Sequence, residues 1–128
     1  MTKRLKIESI PYPGAWVYSF IARKSPPLRD LYREVADEVT STIASGRILD
    51  VGTGPGYLPL EIAKRAPSLL ITGVDLSPAM VKIASTNAKT RGFSDHVRFL
   101  RANASNLPFE DNYFDLVVST LSLHHWSC

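Results

Sequence analysis

Ile48-Leu49-Asp50-Val51-Gly52-Thr53-Gly54-Pro55-Gly56-Tyr57 decides how this chain is read. An apolar run meets an acid, glycines alternate at 52, 54 and 56, and an amphipathic segment follows. Glycine reaches backbone conformations closed to other residues and lets a ligand lie against bare main chain. A helix that begins there presents main-chain N–H groups with no intrahelical acceptor. The stretch predicts a strand, a tight turn and a helix, with a nucleotide-type ligand bound at the carboxyl end of a parallel strand.

The spacing departs from the dinucleotide fingerprint. Gly-x-Gly-x-x-Gly would put its third glycine where this chain has Tyr57. Asp50 stands two residues before the first glycine. In this the stretch resembles the first motif of the class I S-adenosylmethionine (SAM)-dependent methyltransferases, acid-x-Gly-x-Gly-x-Gly. Such a ligand carries no pyrophosphate, but it has an α-amino group and a sulfonium, so an acid beside the turn attracts it.

On the amino-terminal side, Leu28, Leu31, Tyr32, Val35, Val39 and Ile43 recur at helical spacing. They predict a helix over 28–45 that ends at Ser45-Gly46, and Arg47 to Asp50 is then a short buried strand. Downstream, residues 57–66 form a second helix, because Pro55 and Pro59 are tolerated only near its first turn. Leu69 to Asp75 is an almost wholly apolar strand, as suits a parallel strand covered on both faces. Ser77-Pro78 supplies an N-cap and a first-turn proline. The helix they open runs to about Arg91, with Met80, Ile83, Ala84 and Ala88 inward and Gly92 at its end. His96 to Arg101 reads as an edge strand, Glu110-Asp111-Asn112 as a turn, and Phe114 to Thr120 as a fourth strand with Asp115 capping its entry.

Asp75 ends the second strand about twenty residues past the glycine turn, where an acid can accept from both hydroxyls of a ribose. Three further stretches carry the resemblance. Asp75-Leu76-Ser77-Pro78-Ala79-Met80 is similar to the second methyltransferase motif. Asn103-Ala104-Ser105-Asn106-Leu107-Pro108-Phe109 is similar to an acid-Ala-x-x-Leu-Pro-Phe stretch in the ubiquinone/menaquinone-biosynthesis enzymes, and Phe114-Asp115-Leu116-Val117-Val118 matches a later motif. The resemblance implies SAM as cofactor, held by Asp50, Gly52, Thr53, Gly54, Gly56, Asp75, Leu76, Met80, Asn103, Ala104 and Ser119. Asp50 stands near the ammonium group, Asp75 holds the ribose, and Leu76, Met80, Asn103 and Ala104 frame the adenine. The backbone from Ser119 onward faces the methionine end. Where relatives accept from the adenine amino group with an acid, Asn103 would accept with its amide oxygen, more weakly than a carboxylate. No catalytic residue is singled out.

The implied fold is α/β: a Rossmann-like parallel sheet with helices on both faces and strand order 3-2-1-4, the amino-terminal half of the family's 3-2-1-4-5-7-6. The sequence stops just after the fourth strand. This gives the expectation of a truncated cofactor-binding half, with residues 1–27 as a cover segment and 28–128 as an incomplete SAM-binding domain. Trp16, Tyr18 and Phe20 alternate, which suggests a strand or an extended cover. An apolar fourth strand at an open edge would invite self-association. Two rivals are a NAD-binding oxidoreductase half and a non-catalytic fragment that binds SAM or a partner.

Composition limits the partners. The chain has 128 residues, 45% hydrophobic and 21% charged, the balance of an ordinary globular domain. Its single cysteine, Cys128, permits no internal disulfide, so a reducing cytoplasm is the default. The apolar run Ala15 to Ala22 is too short to span a bilayer. Residues 1–29 hold six bases against one acid, and the rest nine against eleven. These bases are scattered and lack a basic–aromatic repeat, so a solvated tail is expected and no nucleic acid. Adjacent His124 and His125 point different ways in most backbones and predict no metal site. The expected partner is a small-molecule methyl acceptor.

Overall fold

The computed structural model describes residues 2–6, 16–22 and 28–119, with side chains from Asp30 onward. The side chains of Trp16, Tyr18, Phe20 and Leu28, and all of Thr120 to Cys128 including His124 and His125, lie outside the described residues.

Nine elements follow in order among the described residues: β1 (Thr2–Lys6), β2 (Trp16–Ala22), α1 (Leu28–Thr42), β3 (Gly46–Val51), α2 (Tyr57–Arg65), β4 (Leu69–Asp75), α3 (Pro78–Thr90), β5 (Val97–Arg101) and β6 (Leu116–Ser119). They build one six-stranded sheet ordered β1-β2-β6-β3-β4-β5. The parallel set β5-β4-β3-β6 is the expected 3-2-1-4 arrangement. In its register Asp50 lies opposite Gly73 on one side and Val118 on the other. The carboxyl ends of β3, β4 and β6 therefore meet at one rim.

One expectation fails at the opposite edge. β6 is not an open edge, because β2 pairs with it in parallel, Trp16 opposite Leu116 through Ser19 opposite Ser119. β1 then closes on β2 in antiparallel fashion. The alternation of residues 16–22 thus produces a strand of the main sheet. The bonding groups that would have invited another chain to β6 are satisfied from within this one.

A second difference concerns the two faces. All three helices share one core cluster, in which Leu31, Tyr32, Val35 and Val39 of α1, Leu58, Leu60 and Ile62 of α2, and Ala84 and Ala88 of α3 pack on Ile48, Ile71, Phe99, Leu116 and Val118. The other face buries Leu49, Val51, Val74 and Val117 beneath the 102–114 connection, whose Phe114 is 1% exposed. Among the described residues, helices therefore cover one face and not both. The link from β5 to β6 carries Leu107-Pro108-Phe109 where a helix would need main-chain donors, and it covers the face with side chains instead.

Local signals explain most boundaries. Ser77 caps α3 by accepting from the Met80 N–H at 3.2 Å, with Pro78 in the first turn. Asp115 enters β6 as expected. Its Oδ2 accepts from the Arg47 N–H at 2.9 Å while its own N–H donates to the Arg47 carbonyl at 2.8 Å. Ile83, expected inward, is 45% exposed, and the small Ala84 and Ala88 take the core side, which lets α3 lie close to β5.

Candidate functional site

The glycine turn is laced onto the end of β4 by main-chain bonds. Gly52 and Thr53 N–H both donate to the Val74 carbonyl at 2.9 Å, and Gly56 N–H donates to the Thr53 carbonyl at 3.1 Å. Gly52, Gly54 and Gly56 all have positive φ, at 76°, 57° and 84°. L-residues pay about 1–2 kcal/mol for that region, which is why the turn needs glycine.

Asp75 is the second anchor. Its Oδ2 accepts from the Gly54 N–H and its Oδ1 from the Ser77 N–H, each at 2.9 Å. One carboxylate thus ties the glycine loop to the start of α3. A carboxylate has about four lone-pair sites, so two remain for a ligand. The expected ribose acceptor has a structural task as well.

A cavity of about 470 Å³ opens at this rim, within the size range of small-molecule sites. It collects seven of the residues singled out from sequence: Gly52, Gly54, Asp75, Leu76, Met80, Asn103 and Ala104. Leu76 is 58% exposed beside the half-buried Met80, an apolar wall at the surface suited to a flat ring. Val51, Pro55, Ser77 and Ala102 also line it. Sequence reasoning assigned none of these four to the cofactor, although Val51, Pro55 and Ser77 lie within quoted motifs and Ala102 adjoins one.

Four expected residues do not line the cavity. Gly56 is a packing residue, since a Cβ there would come to 2.7 Å from the Phe99 ring and 3.0 Å from the Ala84 methyl. Thr53 is buried with its Oγ1 against Gly73, whose missing Cβ would meet that oxygen at 2.6 Å. Asp50 is fully buried near the end of β3, and Ser119 is buried opposite Val51. Tyr32 of α1 reaches the Asp50 region. Burial, first, then the Asp50 charge and Tyr57, push its phenol well above the ordinary tyrosine range. Its ring meets Tyr57 edge-on at 6.0 Å. Tyr32 was legible only as a core position of α1.

Asn103 is engaged within its own turn. Its Oδ1 already accepts two hydrogen bonds from Ser105, one from the N–H at 3.0 Å and one from the hydroxyl at 2.8 Å. An amide oxygen has two lone pairs, so in this arrangement Ser105 occupies both. The turn is closed further by the Asn106 N–H, which donates to the Asn103 carbonyl at 3.0 Å.

Among the described residues, no three His, Cys, Asp or Glu side chains come together as metal ligands. No helix among them is long and apolar enough to cross a membrane.

A parallel αβ sheet with a glycine turn at one strand tip and an acid at the next defines a nucleoside-binding α/β domain. Comparison with known proteins narrows the class. The methyltransferase domain family matches residues 48–128, and this chain belongs to it. It is 38% identical over 96 residues to a demethylmenaquinone methyltransferase of Thermus thermophilus, across 75% of this chain and 43% of that protein. It is 36% identical over 126 residues to a malonyl-[acyl-carrier protein] O-methyltransferase of Geobacter sulfurreducens, across 98% of this chain and 45% of that one. The chain thus spans less than half the length of these relatives. Among solved structures, it resembles a proposed SAM-dependent methyltransferase of Methanococcus maripaludis with a TM-score of 0.70 and 32% identity, over 76% of this chain and 45% of the other. It also resembles the [4+2]-cyclase SpnF, with a TM-score of 0.63 and 36% identity, over 69% and 32%.

Proposed function

We propose that this chain is the SAM-binding part of a methyltransferase that acts on a small-molecule acceptor in the cytoplasm. The observation that carries the reading is the carboxylate of Asp75. It is fixed by Gly54 and Ser77 at the mouth of a cavity lined by bare glycine backbone on one side and Leu76 and Met80 on the other. Family membership and the names of the relatives support the same ligand.

The residues present suit that cofactor. Asp75 accepts from the ribose hydroxyls with its remaining lone pairs, each bond to the charged group contributing about 1.5–3 kcal/mol. Leu76 and Met80 cover a face of the base. Gly52 and Gly54 let the methionine portion pass close to the main chain. Asp50, one strand residue below the loop, sets a negative potential under the ammonium group. SAM supplies a methyl group already activated on a sulfonium. The protein's contribution is then to hold that group in line with the acceptor, a matter of orientation and proximity. Tyr57, which is 42% exposed, stands where a dinucleotide fingerprint has glycine, and this disfavours NAD. The likeness to a cyclase keeps the reaction itself separate from the fold.

The test is calorimetric titration of the 128-residue chain with S-adenosylhomocysteine, with NAD alongside. Micromolar binding of the first and none of the second is expected. The reverse result, or no binding by a folded chain, sinks the reading. Radiolabelled methyl transfer to a demethylmenaquinone analogue then tests the acceptor class suggested by the Thermus relative.

A further inference from the structure

We propose that Asn103, oriented by Ser105, presents a hydrogen-bond donor to the base, so that this site reads an acceptor on the purine edge and does not select for the 6-amino group. The proposal rests on the cofactor reading above and concerns the same cavity.

The amide's orientation follows from its partner. The Ser105 main-chain N–H can only donate, and it lies 3.0 Å from one terminal atom of the Asn103 side chain. That atom must be the oxygen, because a nitrogen there would set donor against donor. The Ser105 hydroxyl, at 2.8 Å, takes the second lone pair of the same oxygen. The planar amide then directs Nδ2 away from Ser105, and its two hydrogens are what Asn103 has left for a ligand in the cavity it lines. A carboxylate here would behave differently, since one oxygen could serve Ser105 while the other accepted from an amino group.

The consequence is a change in which purine is recognised. Adenine offers its 6-amino group as donor and N1 as acceptor. Hypoxanthine offers O6 as acceptor in place of the amino group. A donor at Asn103 matches N1 of the first; hypoxanthine is protonated at N1, so it meets the same donor with O6 by shifting along its edge by about one atom, and each base offers one acceptor. An acceptor would reward adenine and penalise the 6-oxo base, because sites built to bond an NH group reject ligands that lack it.

The test compares binding of S-adenosylhomocysteine and S-inosylhomocysteine by calorimetry, for the native chain, Asn103→Asp and Ser105→Ala, each checked for folding by circular dichroism. The native chain is expected to bind the two within about tenfold of each other. Asn103→Asp should raise the preference for the adenosyl ligand to about a hundredfold or more. Ser105→Ala frees one lone pair on Oδ1 and should give an intermediate preference, whereas a purely structural role for Ser105 would weaken both ligands equally. A native preference above a hundredfold that neither variant alters overturns the proposal while leaving the cofactor reading intact. Failure of either ligand to bind a folded chain overturns both.

Discussion

The two ends of the central strands carry two different kinds of cavity. At the carboxyl end, about 470 Å³ is bounded by the glycine loop, by the Asp75 carboxylate, by the start of α3 and by residues 102–104. At the amino end, a cavity of about 240 Å³ is bounded by side chains: Arg47, Leu70 and Thr72, with His96, Arg98 and Tyr113 around them. There the Arg47 guanidinium lies 4.4 Å from the centre of the Tyr113 ring, and the Arg98 Nε donates to the Thr72 hydroxyl at 3.4 Å. The first cavity is built by backbone geometry that glycine alone permits, so its residues are constrained one by one. The second arises because long side chains from three strands overhang a face without a helix, so exposed residues such as Arg47 and Arg98 can change with little effect on the fold. The comparison shows why glycines mark one end of the sheet, while the other is marked only by the Phe114-Asp115 strand entry.

Four substitutions sharpen or break that contrast. Asp75→Ala removes the proposed ribose acceptor and releases Gly54 and Ser77 together. Losing two bonds to a charged group should weaken S-adenosylhomocysteine by about 3–6 kcal/mol, a loss of binding in calorimetry. Asp75→Asn, which keeps one acceptor oxygen, should fall between. Native-like affinity in Asp75→Ala would break the claim that the carboxyl end is the working one. Gly56→Ala combines a left-handed φ with a collision against Phe99, and urea unfolding should show a loss of about 2–5 kcal/mol. Arg47→Ala at the amino end gives up the contact with Tyr113, about 0.5–1 kcal/mol of stability, with cofactor affinity within twofold of native. A large affinity loss there would show that the two ends are coupled.

The smallest expected effect is electrostatic. Burial by itself raises the Glu61 carboxyl, but its hydrogen bond with Arg65 at 2.7 Å and the charges of Lys64, Arg65 and Arg33 outweigh this and hold it below its usual 4.5. A group whose folded value is depressed contributes stability above its unfolded pKa and loses it as pH falls through the folded value. The stability gap between the native chain and Glu61→Gln should therefore be about 0.5 kcal/mol at neutral pH and close in acid below the glutamate range. Urea midpoints across that range check it, and a gap that widened in acid would contradict the sign.

Much of the fold could be read before any coordinates. The strand Leu69 to Asp75, the Ser77 cap and the glycine turn depend on contacts close in sequence or on a run of one residue type, whereas Asp115 was placed by its motif and its partner Arg47 lies far away in sequence. Ile83 was misplaced because Ile and Ala at adjacent positions both satisfy helical spacing, and only the close approach of α3 to β5 selects the smaller residue. The partner of Asn103 was not legible, because nothing in the motif marks Ser105 as a donor to its amide oxygen.

The parallel set of strands, the position of the turn and the acid at each of two strand tips were written in the order of the residues. Periodicity, glycine spacing and capping act over a few residues, and those signals survive in one dimension. Three-dimensional packing was needed to show that β2 shields the edge of β6, that helices cover one face among the described residues, that Gly56 makes room for Phe99 and Ala84, and that Asp75 locks the glycine loop. Each of these depends on which surfaces meet across tens of residues, where neither hydrophobic pattern nor residue spacing specifies a partner.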